Sequence, residues 1–244
     1  MLGKNQNATG AEVMRILAIE TSSRLGGVAV AEDRKLLDER VFRKGMVHGQ
    51  SLLPTIEEML QAAGWQIAEI DMVAVDEGPG SFTGLRIGVM AAKTICWVTG
   101  AKLIGVCSAD ALYMTAKEAG VPDPVGVVID AYRGCVYAAL FDNNEKLFLD
   151  MLQPNEAAKR MSKTATLVGD GALRWKKIFE EKHLTVEEKV VYAAPRWVAL
   201  LGFEAAKSGQ QHDPLTFVPR YLRPSEAEER RQIDASPDRL KEPN

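Results

Sequence analysis

The chain is poor in the residues that carry most redox and metal chemistry. It has three cysteines, Cys96, Cys107 and Cys135, far apart, each inside or beside an apolar run, with no Cys-x-x-Cys pair. That spacing excludes a disulfide scaffold and a thiolate zinc knuckle, and fits isolated buried thiols in a reducing compartment. Histidine is equally scarce: His48, His183 and His212 are scattered, and no His/Asp/Glu grouping has metal-site spacing. The expectation is no metal and no cofactor. No apolar run reaches the roughly 18 residues of a membrane span, and the opening MLGKNQNATGAEV lacks the apolar centre of a secretory signal. A cytoplasmic protein without membrane contact is expected. Positive charge is not in excess either, with 30 basic residues against 33 acidic ones. Proteins that grip RNA alone usually carry a basic face, so contact with RNA is expected only through a complex.

What is present is a large apolar fraction, 46% of 244 residues, enough for one large domain or two lobes. Residues 1–13 are polar and aperiodic and read as a flexible extension; residues 224–244, rich in Glu and Arg, read as a flexible charged tail. Between them, apolar runs predict strands over 15–19, 27–31 and 35–41, then an amphipathic helix over 48–63 closed by Gly64. A buried strand over 72–75, a helix over 84–99, a strand over 103–106 and a helix over 108–119 follow. Three strands, then helix, strand, helix, strand, helix, is the succession of an actin-like or Hsp70-like α/β lobe. After Pro122 and Pro124 it partly restarts, with strands over 125–129, 136–141 and 146–151, a brief strand at 167–168, and helices over 173–181 and 196–207. We therefore expect a duplicated α/β fold: a first lobe over 14–121 and a second, degenerate lobe over 122–223, each a mixed sheet flanked by helices. No sequence repeat links the halves.

Three loops at strand ends could face a common cleft. The first carries Glu20, Thr21 and Ser22; the second carries Gly78, Gly80, Ser81, Thr83 and Gly84 just ahead of a helix; the third carries Asp130 and Arg133. Glycines ahead of a helix permit close approach of a phosphate to free N–H groups, yet tight packing explains them equally well. The Walker pattern is absent. Asp130 and Asp170 could hold magnesium, although a lone acid at a strand end more often caps a turn. The helix over 84–99 is apolar nearly all round, so one face can cover a sheet while the other lacks obvious cover within the chain.

The string GPGSFTGLRIG at 78–88 closely resembles the signature of the bacterial TsaB family, also called YeaZ. ILAIETS at 16–22, HGQSLLP at 48–54, DAYRGCVYAALF at 130–141 and YLRPSEAE at 221–228 match it in the same order. The resemblance implies a two-lobe actin-like fold and a non-catalytic subunit of the complex that transfers a threonylcarbamoyl group to N6 of adenosine 37 in tRNAs reading ANN codons. It implies a TsaD-type catalytic partner, a TsaE-type ATPase partner, tRNA contact through the complex, and a homodimer through the same helical face when the chain is alone. TsaD-type proteins hold a metal partly through two histidines four apart on a helix; Ser108 and Leu112 occupy those places here. The expected partner face comprises His48, Leu52, Ile56, Met59, Leu60, Arg86, Ile87, Met90, Ala91 and Thr94. Glu20, Thr21, Gly78, Gly80, Ser81, Thr83, Gly84 and Asp130 would line a vestigial cleft. His48 could equally be a surface cap, and Arg86 part of a local ion pair. The sequence departs from the family at Asp76-Glu77, at Tyr132, where a basic residue is common, and at Cys135, where an acid is. The alternative is an enzyme: an actin-like nucleotide hydrolase or kinase, which needs magnesium-binding acids in register with a nucleotide loop, or a peptidase, which needs a nucleophile beside an oriented histidine.

Overall fold

Strand alternation builds the first lobe. In β1 (Arg15–Glu20), Leu17 and Ile19 point to one face while Ile16 and Ala18 point to the other, and all four are fully buried. β2 (Gly27–Glu32) pairs antiparallel with β1, and β3 (Lys35–Val41) antiparallel with β2. β4 (Met72–Gly78) and β5 (Lys102–Cys107) add in parallel on the other side, giving the order β3-β2-β1-β4-β5. The computed structural model describes residues 13–42 and 48–223. The expected tail, and all but the last residue of the expected N-terminal extension, lie outside the described residues.

One face of this sheet is bulky, with Leu17, Ile19, Val28, Val30, Val73 and Val75, and it packs against α1 (His48–Ala63) and α2 (Phe82–Thr99). The opposite face mixes Ile16, Met72, Ile104 and Val106 with the small Ala18, Ala29, Ala31 and Ala74, and admits a helix at close range at the alanines. That helix is α7 (Pro195–Lys207), from the far end of the sequence; a Cβ on its Gly202 would stand 2.6 Å from Ala74 Cβ.

The second sheet repeats the first. β6 (Val125–Asp130), β7 (Val136–Asp142) and β8 (Glu145–Leu152) form an antiparallel meander, and β9 (Thr166–Val168) and β10 (Thr185–Val186) add in parallel beside β6. Its order, β8-β7-β6-β9-β10, is that of the first sheet element for element. α4 (Pro154–Arg160), α5 (Asp170–Arg174) and α6 (Lys176–Glu181) pack with one face of it, while α3 (Ser108–Glu118), from the first half of the sequence, covers the other. The halves thus exchange one helix each. This is the duplicated, actin-like fold with two mixed sheets flanked by helices.

Candidate functional site

The loops at the strand ends meet, but they meet each other. Glu20, 1% exposed at the end of β1, accepts from Ser22 N (2.9 Å), Ser22 Oγ (2.6 Å) and Ser23 Oγ (3.2 Å). Ser81 N donates to Ser22 O at 2.7 Å, which ties the glycine loop to the first loop. A Cβ on Gly80 would lie 2.4 Å from Ser22 O, one on Gly84 2.0 Å from Thr21 O, and one on Gly88 2.2 Å from Thr21 Oγ1. Real Cβ atoms do not approach so closely. Of the glycines expected to cradle a phosphate, Gly80 and Gly84 are therefore required by backbone-to-backbone packing against residues 21 and 22, while Gly78 faces Arg220 O and Leu85. Ser81 caps α2 by accepting from Gly84 N, while Thr83 is exposed on its first turn and Gly78 takes φ +108°.

Beneath this contact lies a carboxyl that sequence reading passed over as a mere departure from the family pattern. Asp76 is fully buried; its Oδ1 accepts from Gly78 N (2.8 Å) and from Ser108 Oγ (2.5 Å), and its Oδ2 has no hydrogen-bond partner among the described residues. Burial, reinforced by the nearby Glu20 carboxyl, pushes Asp76 well above the usual carboxylate range. The strand was expected to end at Val75, but it continues to Gly78, which carries Asp76 inside.

The third loop is also engaged. Asp130 Oδ2 accepts from Arg174 at 2.5 Å, its Oδ1 accepts from Tyr132 N at 3.0 Å, and its own N–H donates to Asp170 Oδ1 at 2.9 Å. Burial raises Asp170 above the ordinary carboxylate value. Burial likewise pushes the Cys107 thiol up to about 11 and Cys96 up to about 12, so neither is a thiolate nucleophile at neutral pH. Cys135 is half-buried, not buried as expected. Ser108 is spent on Asp76, and Leu112 sits in the core of the second sheet. Among the described residues no group of three His, Cys, Asp or Glu side chains could hold a metal ion.

The helical face sorts differently from its expectation. Leu52, Ile56, Met59 and Leu60 of α1 are at most 5% exposed and belong to the chain's own core. Ile87 and Ala91 are half-buried and lean on that core. Of the expected face, Met90 (59% exposed), Arg86 and Thr94 do point outward, and they are joined by Trp97 (72%), Val98 (70%) and Leu53 of α1 (59%), which were not singled out. Positions 86, 90, 94, 97 and 98 lie on one side of α2 by helical spacing. Their signal was in the sequence, but an all-round apolar helix hides which side is spare. His48 opens α1. A shallow groove bounded by Leu53, Ile56, Leu60, Trp65, Ile67 and Ile95 runs between the two helices.

The near end of that outward row is already covered by a strap that sequence reading missed, because it has no periodicity. After α7, His212 N donates to Leu103 O, and Gly105 N donates to His212 Nδ1 at 3.2 Å. Phe217, 7% exposed, fills the slot left by Gly105, where a Cβ would stand 2.8 Å from its ring. Lys93 Nζ donates to Phe217 O at 2.7 Å. Tyr221 packs at a tilt against Phe82 (ring centroids 4.8 Å apart) and accepts from Arg86 Nε (3.1 Å), while the Arg86 guanidinium lies 3.9 Å over Phe82. Arg86 is therefore held locally.

The family model described as TsaD, tRNA N6-adenosine threonylcarbamoyltransferase, matches residues 45–230. The chain is 28% identical over 230 residues to the tRNA threonylcarbamoyladenosine biosynthesis protein TsaB of Bacillus subtilis, covering 88% of this chain and 96% of that protein. To the protein of the same description from Escherichia coli it is 28% identical over 184 residues, covering 72% and 79%. The solved structure of YeaZ from Pseudomonas aeruginosa shares the fold, with a TM-score of 0.73 at 24% identity over 85% of this chain and 99% of that one. A matching model across three quarters of the sequence, with TsaB proteins aligned almost end to end, places the chain in the TsaD family of that model and, within it, in the TsaB/YeaZ group.

Proposed function

We propose that this chain serves tRNA threonylcarbamoyladenosine biosynthesis as a non-catalytic subunit that docks a TsaD-type catalytic subunit on the outer face of α2. The pathway follows from the names of its relatives. The docking face is supported chiefly by one observation, the outward row of Met90, Trp97 and Val98 at 59–72% exposure beside Leu53. Four large apolar side chains at roughly 2 kcal/mol each contribute on the order of 8 kcal/mol when sealed. That is comparable with the estimated cost of association alone, so the row supplies anchors and needs the groove beside Ile67 around it to hold a stable complex. A tryptophan at the centre of such a patch suits the role of anchor. A partner of the same family would bring a helix pair of the same kind, and in its absence a second copy of this chain would do so. A TsaE-type ATPase would join the assembled pair, and tRNA would be handled by the complex.

The alternative of an enzyme, whether nucleotide hydrolase, kinase or peptidase, has less support. The glycine loop is packed against its neighbour, Asp130 is paired with Arg174, and His212 Nδ1 is taken by the Gly105 N–H of the strap contact. Reconstituting threonylcarbamoyl transfer to tRNA from the TsaD-type and TsaE-type proteins, with and without this chain, tests the reading. Transfer should depend on the chain, and transfer that proceeds unchanged without it refutes the role.

A further inference from the structure

The loop 130–134 was one of three that could face a common cleft, and the function proposed above makes no use of it. Three arginines from separate elements reach it, and a fourth belongs to it. Arg24, from the β1–β2 turn of the other lobe, lies near the Tyr132 phenol, which raises its pKa. Arg133 belongs to the loop itself. Arg174, at the end of α5, pairs with Asp130, and Arg223, where the described strap ends, donates to Ala131 O (3.1 Å) and Tyr132 O (3.4 Å). Arg24, Arg133 and Arg174 are exposed. Among the described residues the carboxyls bonded to this loop are Asp130, itself paired with Arg174, and Asp170, two against four guanidiniums. Local charge is thus positive on a chain whose net charge is −3.

The backbone adds a second observation. Tyr132 and Arg133 both adopt left-handed conformations, φ 58° and 49°, which cost non-glycine residues on the order of 1 kcal/mol each. The result is a tyrosine ring held 43% exposed, on a loop whose backbone and carboxylate are bonded by Arg223 and Arg174. An exposed aromatic ring on a loop that arginines reach offers what a single-stranded or looped RNA uses: a platform for a base and donors for successive phosphates. The charges are spread over the rim and do not close on one point, which suits a polyanion better than a mononucleotide.

We infer that the loop 130–134, with Arg24, Arg133, Arg174 and Arg223, is a direct contact surface for the phosphate backbone of RNA. The choice of tRNA as that RNA rests on the function proposed above; the phosphate chemistry does not. This departs from the expectation that RNA contact comes only through other subunits.

The test measures binding of the full chain to tRNA by fluorescence anisotropy from about 50 to 200 mM salt, where phosphate contacts dominate the salt dependence. Binding should be detectable at low salt, and Arg24→Gln and Arg133→Gln should each reduce the slope of log K against log salt by about 1. Tyr132→Gly, which relieves the backbone and removes the ring, should weaken tRNA binding without lowering Tm. Circular dichroism of each variant establishes that it folds. Absence of tRNA binding at low salt, unchanged slopes in both arginine variants, or equal binding of polyglutamate overturns the proposal. Binding of ATP but not tRNA overturns it in favour of a mononucleotide site. A chain that still captures its protein partner but fails these tests refutes this inference and leaves the docking reading standing, whereas Met90→Glu should lose the partner and keep tRNA.

Discussion

Replacing Gly84 with alanine separates two explanations of the glycine loop. A glycine kept for a ligand could accept a methyl group in the unliganded protein, and at the third position of α2 alanine would even favour the helix by about 1 kcal/mol. Here the new Cβ would lie 2.0 Å from Thr21 O, and the obstructing atom is backbone, fixed at the end of β1 and unable to swing aside. Overpacking of this kind typically costs 1–3 kcal/mol and more where nothing yields, so a net loss of roughly 2 kcal/mol is expected after the helical gain. For a chain of this size each kcal/mol shifts Tm by about 2–4 °C, giving a fall of about 4–8 °C. The control is Gly49→Ala in α1, where a Cβ would meet Ile87 Cδ1 at 3.8 Å, ordinary contact distance, and where helix propensity alone should raise Tm slightly. Differential scanning calorimetry of both variants decides the matter. A Gly84→Ala protein as stable as the parent would refute the idea that the two loops fill each other.

Asp76 should give the unfolding free energy a falling pH dependence. Its folded-state pKa is raised, so its contribution is fully present in acid and declines as pH climbs above about 4, by at most about 1.4 kcal/mol per unit, until the folded carboxyl itself ionises. Asp76→Asn keeps an acceptor for Gly78 and Ser108 and removes the proton; urea unfolding between about pH 5 and 8 should show a flatter profile, and an identical slope counts against the buried neutral acid. Phe217→Ala empties the slot over Gly105 and should cost about 3 kcal/mol. Limited proteolysis should then cut within 213–220 well before global unfolding, and a strap as resistant as the parent's would show that the ring does not anchor it.

Much of the fold is legible because alternation and helical spacing leave marks in the chain. Leu17 and Ile19 against Ile16 and Ala18 already indicate a strand buried on both faces, and the apolar positions of α1 repeat at the spacing of an amphipathic helix. Shorter elements escape: β10 spans two residues, and the helix expected over 173–181 is two helices broken at Trp175. Long-range exchange leaves no local mark, so nothing in α3 or α7 announces that each covers the other half's sheet. The partner face was half legible. Periodicity identifies α1 as amphipathic but cannot show that its whole apolar stripe, Leu52 to Leu60, is consumed inside, nor that Trp97 rather than Ile87 stands in solvent. Likewise the glycines of 78–88 announce a close approach without saying to what; the partner turns out to be residues 21 and 22 of the same chain.

The docking role is most directly measured by co-purification of a Met90→Glu/Trp97→Glu double variant with the TsaD-type protein, with Tm recorded alongside. Both side chains are more than half exposed, so the variant should fold with a Tm within a few degrees of the parent while losing the partner at any practical concentration. Retention of the partner by a folded double variant would contradict the assignment of this helix face.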